Sequence, residues 1–208
     1  MAVRIVRSVL ASLLFCLSPL GAYALPTVVD FETLSDSDAL TSQLTDPTFA
    51  NATVLAAGLS LNEFDFPPQS GTNVVTDDGG PITIDFASPL ASVGGYLTYI
   101  TQLTLEAYAG VNLIGSVTSA FSNNSGTGGD LGSIPNEFLS LAGAGITRLI
   151  ISGDPGGSSF VLDDLTYTPA SPTSVPEPGS LALIVIGAAF FGTGRRRRGL
   201  TSLLDGGK

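Results

Sequence analysis

The feature that most limits the fold of this chain is a series of short segments that alternate between apolar and polar residues through residues 27–168. In residues 82–86 the apolar side chains fall on one face of an extended strand, while Thr83 and Asp85 fall on the other. Stretches rich in Gly, Pro and Asp separate the segments. This pattern predicts an all-β ectodomain over residues 25–168, an antiparallel, jelly-roll-like β-sandwich. The predicted strands cover residues 27–32, 53–62, 73–76, 82–86, 93–100, 103–109, 113–118, 137–141, 146–152 and 159–168.

The N-terminus has the three parts of a secretory signal peptide. Arg4 and Arg7 supply positive charge, residues 9–20 form an apolar segment, and residues 22–24 read Ala-Tyr-Ala, a cleavage site of the A-x-A type. Twelve apolar-biased residues are too few to span a bilayer. The sequence therefore predicts that residues 1–24 are a signal peptide, removed by signal peptidase before Leu25.

The C-terminus carries a second signal for a membrane. Residues 169–178 form a Pro/Ser/Thr-rich spacer that ends in Val175, Pro176, Glu177 and Pro178, and an uncharged stretch follows at residues 179–194. As a helix these residues reach about 24 Å, close to a hydrocarbon core of about 30 Å. Four arginines follow directly: Arg195, Arg196, Arg197 and Arg198. Positive charge is enriched on the cytoplasmic side of membranes, so this end of the predicted helix is expected in the cytoplasm. The sequence predicts one transmembrane helix with its arginine cluster at 179–198 and a cytoplasmic tail at 199–208.

The order of these residues, Pro-Glu-Pro, then an apolar helix, then an arginine cluster near the chain end, resembles the PEP-CTERM sorting domain of exosortase systems. The resemblance implies an exported protein that is cut at the motif by a membrane-embedded cysteine transpeptidase, the exosortase. It implies an inner-membrane intermediate, then release to the cell surface or the extracellular matrix. The ten residues after the arginines depart from the family pattern. The alternative is a simple membrane anchor without processing, because a helix with basic stop-transfer residues needs no protease.

Composition excludes several kinds of chemistry for residues 25–175. This stretch contains no Cys, His, Lys or Trp, so it lacks a Ser-His-Asp triad, a thiolate nucleophile, a Schiff-base lysine and an imidazole or thiolate zinc site. It contains sixteen acidic residues and one basic residue, Arg148, which gives a net charge of −15. Such a charge repels nucleic acid and anionic membrane, and favours cations or neutral glycans such as an exopolysaccharide. We expect a binding or structural module rather than an enzyme; the alternative is a secreted glycan-active enzyme that uses paired carboxylates.

Two acidic pairs at opposite ends of the domain predict a metal site. Asp30 and Glu32 are two apart in a strand and share a face, whereas Asp163 and Asp164 interrupt an apolar strand, so one of them points towards the core. A buried carboxylate requires a partner, and Ca²⁺ suits several carboxylate oxygens where basic residues are lacking. These ends also resemble jelly-roll modules of the carbohydrate-binding kind, in which the resemblance implies a structural calcium. The alternative is that the four carboxylates are solvated strand ends.

Two loops are further candidates for binding. Residues 121–133 form a long loop rich in Gly, Ser and Asn, and the part around Gly128, Gly129 and Asp130 is similar to one turn of a calcium-binding nonapeptide repeat. In residues 62–70, Phe64 and Phe66 share one face beside two prolines, which predicts either an aromatic platform or ordinary packing beneath a loop.

Overall fold

Nine β-strands make up the computed structural model, which describes residues 24–170. The strands are β1 (Thr27–Val29), β2 (Thr48–Ala50), β3 (Ala52–Ala56), β4 (Asn73–Asp77), β5 (Ile82–Tyr99), β6 (Thr104–Ala109), β7 (Asn112–Thr118), β8 (Glu137–Ser152) and β9 (Phe160–Pro169). The described residues contain no α-helix. Every pairing between strands is antiparallel, so the predicted all-β antiparallel class is confirmed.

All nine strands belong to one hydrogen-bonded sheet rather than to two separate sheets. The main path runs β3-β4-β9-β5-β8-β6-β7, with β1 added to β9 and β2 added to β5. The strands β5 and β8 are 18 and 16 residues long, and their pairing shifts register between Asp85 and Ser92. Irregularities of this kind bend a strand, so one half of each long strand pairs with different neighbours from the other half.

Alternate residues of the strands supply one main hydrophobic core. Ile82, Ile84 and Leu97 from β5 lie in it together with Leu149 from β8 and Leu162 from β9, and each is almost completely buried. A smaller cluster lies on the opposite face of β4 and β9, where Val74 and Val161 contact Leu61. The segment between β3 and β4 therefore packs over the outside of the sheet. This placement positions the candidate site described below.

Several predicted strands have different bounds in the structure. The strand predicted at residues 27–32 ends at Val29, and the chain turns at Phe31, whose φ is 61°, so the prediction that Asp30 and Glu32 share one face of a strand is wrong. The strand predicted at residues 53–62 likewise ends at Ala56.

Two pairs of predicted strands are each one strand in the structure. Residues 82–86 and 93–100 belong to one strand, β5, because the chain stays paired through the bulge that contains Pro89. Residues 137–141 and 146–152 likewise belong to β8, which continues through Gly145 at a φ of 82°. The short strand β2 was not predicted at all.

The predicted features of the two ends lie outside the described residues. These are most of the signal peptide 1–24, nearly all of the spacer 169–178, the transmembrane helix and arginine cluster 179–198, and the tail 199–208. Within residues 24–170, no helix has the length and apolar character needed to cross a membrane.

Candidate functional site

The segment between β3 and β4 contains a loop at residues 62–72, which we call the bridging loop. Its C-terminal end is held by Asp163 of β9, a side chain that is only 1% exposed. One carboxylate oxygen of Asp163, Oδ2, accepts hydrogen bonds from the backbone N–H groups of Gln69 (2.7 Å) and Ser70 (2.9 Å). The other oxygen accepts from the N–H of Asp164 at 2.7 Å. Burial raises the pKa of Asp163 to about 6, although the amide hydrogen bonds act in the opposite direction.

Glu32 holds the next residues of the same segment from outside the sheet. Its Oε1 accepts from the N–H of Thr72 (2.9 Å) and of Asn73 (2.7 Å), and its Oε2 accepts from the Thr72 hydroxyl at 3.1 Å. Desolvation raises the pKa of Glu32, but the hydrogen bonds from Asn73 and Thr72 together outweigh it, so the pKa lies below its ordinary value. Gly71 lies against this carboxylate with a φ of 55°, and a Cβ there would overlap the Glu32 side chain.

Three of the four residues predicted to bind calcium, Glu32, Asp163 and Asp164, contact one segment of chain, residues 69–73. The strands β1 and β9 pair with Val29 opposite Leu165, which brings both acidic pairs to the same end of the two strands. Asp164 accepts a hydrogen bond from the Ser70 hydroxyl at 2.8 Å, whereas the Asp30 carboxylate accepts only a local bond from the N–H of Glu32. Across residues 24–170, no group of three or more acidic side chains is arranged to hold a metal ion. The calcium site stays a prediction, and backbone amides are the partners that the structure gives to the buried carboxylate.

The other end of the bridging loop contacts the loop at residues 121–133, which we call the glycine-rich loop. The N–H of Gly126 donates to the Asp65 carbonyl oxygen at 2.9 Å, and the Thr127 hydroxyl bonds the Asp65 carboxylate. A Cβ at Gly126 would overlap the carbonyl oxygen of Phe64, so only glycine permits this close approach. The two loops proposed from the sequence as separate candidates thus form one continuous surface.

The glycine-rich loop is fixed by its own polar side chains. Asp130 accepts hydrogen bonds from the N–H groups of Ser122 (2.9 Å) and Asn123 (3.0 Å). Asn124 is fully buried; its amide oxygen accepts from the N–H of Tyr99 at 2.6 Å, and its amide nitrogen donates to the Leu97 carbonyl at 3.0 Å. Asp130 closes the loop rather than projecting as a free ligand. Asn124 was not predicted, and one Asn among several in a polar loop carries no signal that would single it out.

The two phenylalanines of the bridging loop have different environments. Phe66 is partly buried and packs against the cluster of Leu61, Val74 and Val161. Phe64 is 75% exposed beside the contact with the glycine-rich loop. The predicted platform of two rings on one exposed face is therefore not present, and the packing alternative holds for Phe66 alone.

A second buried carboxylate, Asp77 at the end of β4, has the same structural role as Asp163. It accepts from the N–H groups of Ser159 (2.9 Å) and Phe160 (3.3 Å) and from the Ser159 hydroxyl. Burial raises its pKa, although these hydrogen bonds oppose the shift. Asp77 joins the start of β9 to β4, whereas Asp163 joins the bridging loop to β9, and both carboxylates are occupied by N–H donors.

Comparison of the sequence with models of protein families identifies a sorting motif at the C-terminus. Residues 174–198 match the model of the PEP-CTERM protein-sorting motif. The chain carries a PEP-CTERM sorting signal. The sequence-based prediction of that signal is confirmed, and the motif indicates an exported protein targeted to the cell surface. No curated protein matches the chain.

Three solved structures illustrate what the described domain is similar to. The K2 cleaved adhesin domain of Lys-gingipain is 13% identical with a TM-score of 0.43, over 70% of this chain and 98% of that one. A family 29 carbohydrate-binding module from Piromyces equi is 12% identical with a TM-score of 0.38, over 75% and 98%. The module TmCBM61, solved with β-1,4-galactotriose, is 14% identical with a TM-score of 0.35, over 67% and 90%. Similarities of this size do not assign a ligand to this chain.

Proposed function

We propose that the protein is an exported cell-surface or extracellular-matrix protein, that an exosortase-type transpeptidase sorts it at residues 175–178, and that its ectodomain is a non-catalytic binding module for neutral glycans. The match of residues 174–198 to the PEP-CTERM motif carries the first half of the proposal. In this proposal the apolar helix holds the chain in the inner membrane until the transpeptidase cuts at the motif, and the ectodomain leaves without the arginine cluster.

Intact-mass measurement of the mature protein tests the sorting half. In a host that has the exosortase, the ectodomain should lack the residues beyond the motif, and in the same host without the transpeptidase the chain should keep them. Replacing both prolines of the motif, Pro176→Ala with Pro178→Ala, should give the uncut form in both hosts. A full-length protein that stays in the membrane of the exosortase-containing host would instead establish a simple anchor.

The hydrogen bonds and the ion pair made by the acidic side chains support a non-catalytic ectodomain. A glycosidase needs two carboxyl groups that face the same cavity and are free to exchange protons with the substrate. Asp77 and Asp163 are buried among backbone N–H groups, and the carboxylates of Glu32 and Asp130 are likewise occupied by N–H donors. Asp85 is paired with Arg148. Five of the sixteen acidic residues of the domain are therefore engaged in holding the structure together.

Net charge supports a neutral glycan as the ligand class. A domain with sixteen acidic residues and one basic residue repels anionic polymers over the range of the Debye length. Binding to a glycan array, measured with and without Ca²⁺, tests this half of the proposal, and retention of neutral glycans is the expected result. Turnover of a polysaccharide that is abolished by a single Asp or Glu substitution would replace it with the rival, a glycan-active enzyme.

A further inference from the structure

An uncharged area lies on the outside of the sheet where β8, β5 and β9 run side by side. Alternate residues of β5 point away from the core here, and register places Gly94 between Ser140 of β8 and Thr166 of β9. Ser140 is exposed and Thr166 is partly buried, whereas Gly94 is buried between them. The next outward-facing row places Ser92 beside Thr168. We call this surface the outer face. It has hydroxyl groups and no acidic side chain at its centre.

Gly94 lets β5 and β8 approach each other closely in the middle of the outer face. A Cβ at this position would lie 2.6 Å from the Cβ and 2.8 Å from the Cα of Ser140. Real Cβ atoms do not approach other atoms so closely, so β5 and β8 hold this geometry only with glycine at position 94. The close approach is therefore a property of the strand pairing and does not depend on a flexible loop.

An aromatic pair lies on the outer face next to Gly94. Tyr96 of β5 and Phe138 of β8 are directly opposite each other in the sheet, with ring centroids 5.0 Å apart and an angle of 54° between the rings. Phe138 remains 47% exposed although it belongs to a regular strand. On the β9 side, Tyr96 is opposite Asp163, which accepts hydrogen bonds from the bridging loop. The pair therefore lies beside the end of the bridging loop that Asp163 holds.

We propose that the outer face binds a neutral polysaccharide, with Tyr96 and Phe138 as the stacking platform and the hydroxyls of Ser140 and Thr166 as hydrogen-bonding groups. This inference rests on the glycan-binding function proposed above and places that function on particular residues. Sugar rings combine apolar C–H faces with many hydroxyl groups, which is the chemistry that a surface of aromatic rings and hydroxyls complements. A cationic peptide would require acidic side chains on the face, and an anionic polymer would be repelled by the −15 charge of the domain.

Affinity gel electrophoresis of the 25–170 ectodomain tests the inference with mannan, galactan, laminarin and hydroxyethylcellulose as neutral probes and alginate as the anionic probe. Residues 24–170 hold the main hydrophobic core and lie within one compact unit, Ala22–Ser171, so this fragment keeps the contacts of the folded domain. Retardation of the wild-type domain by at least one neutral probe, and not by alginate, is expected. Tyr96→Ala and Phe138→Ala should each weaken that retardation about tenfold. Phe64→Ala, which removes an exposed ring from the bridging loop, should leave it unchanged.

A second pair of variants controls for any loss of folding in the aromatic substitutions. Ser140→Glu puts charge and bulk on the outer face beside Gly94 without touching the core, and Ser116→Glu adds the same group to β7, at another exposed position. Only the first should abolish retardation. Loss in Phe64→Ala with retention in Tyr96→Ala and Ser140→Glu would overturn the outer face while keeping glycan binding. A wild-type domain that no neutral probe retards would overturn both the outer-face site and the proposed glycan binding. A wild-type dimer that Ser140→Glu dissociates would show that the outer face is an interface between two copies of the chain instead.

Discussion

Gly71→Ala should be among the most damaging single-methyl additions in the domain, because Gly71 meets two requirements at once. Its φ of 55° lies in the left-handed region, which costs an alanine about 1 kcal/mol. Its Cβ would also overlap the Glu32 carboxylate, where even the farthest of the three contacted atoms is 2.7 Å away. Glu32 would then have to leave the N–H groups of Thr72 and Asn73.

The free-energy cost of displacing Glu32 follows from the groups that lose their hydrogen-bond partner. Displaced Glu32 is solvated by water, because the side chain is at the surface, but Asn73 is buried and its N–H would be left unsatisfied. A buried donor without a partner costs about 2 kcal/mol. The total for Gly71→Ala is therefore about 3 kcal/mol, of which about 1 kcal/mol is backbone strain.

Two variants separate these contributions. Gly58→Ala is the matched control for strain, because Gly58 has a φ of 77° and nothing within 4 Å of its Cβ position, so it should cost about 1 kcal/mol. In a Glu32→Ala background the collision is gone, and Gly71→Ala should again cost about 1 kcal/mol. Urea unfolding of the 25–170 domain, followed by far-UV circular dichroism because the chain has no Trp, gives the free energies of unfolding of the wild-type domain, the three single variants and the double variant. Equal costs for Gly71→Ala in the two backgrounds would refute the reasoning.

Three further outcomes can be measured on the same domain. Burial raises the pKa of Asp163 from about 3.9 when unfolded to about 6, so the folded state binds more protons between these values. The contribution of Asp163 to the free energy of unfolding should rise by about 2 kcal/mol as pH falls from 7 to 4.5, and Asp163→Asn should remove this rise; equal pH slopes for the wild-type and Asp163→Asn domains would contradict the assignment. A calcium site at the four predicted acids requires a melting temperature that rises with Ca²⁺ and falls with EDTA, and indifference to both would remove the site. The ion pair between Arg148 and Asp85 has both side chains nearly half exposed, so Arg148→Gln should change the free energy of unfolding by less than about 1 kcal/mol; a larger loss in urea unfolding would show that the pair is shielded from water.

The strands were predictable from the sequence because their alternation reports directly which face is buried. In β5, the positions predicted to face inwards, such as Ile82 and Ile84, lie in the core. The ends of the strands were harder to predict, because Ser-Pro at residues 88–89 resembles a turn in sequence but forms a bulge in a continuous strand. Whether such a residue ends a strand depends on pairing with distant β8, and that information is not local.

The candidate site was predicted as separate pieces and not as an assembly. The acidic residues near both ends of the domain were expected to approach one another, and the pairing of β1 with β9 brings the two pairs to the same end of these strands. Their partners could not be inferred, since the donors are backbone N–H groups of residues 69–73, which have no side-chain signature. The outer face went unnoticed for a related reason. Tyr96 and Phe138 are 42 positions apart in sequence, and only the register of β5 with β8 brings them together.

The scarcity of basic residues affects how long the domain resists proteolysis outside the cell. Proteases that cleave after Lys or Arg find a single such residue in residues 25–175, Arg148. Its backbone lies in the interior of the sheet, paired on one side with Asp85 of β5 and on the other with Tyr108 of β6. A trypsin-like enzyme needs an extended segment detached from its neighbours, so cleavage must await the local separation of three strands. The lifetime of the domain among such proteases is then set by how seldom the β5-β8-β6 region opens, and the rest of the surface offers them no site.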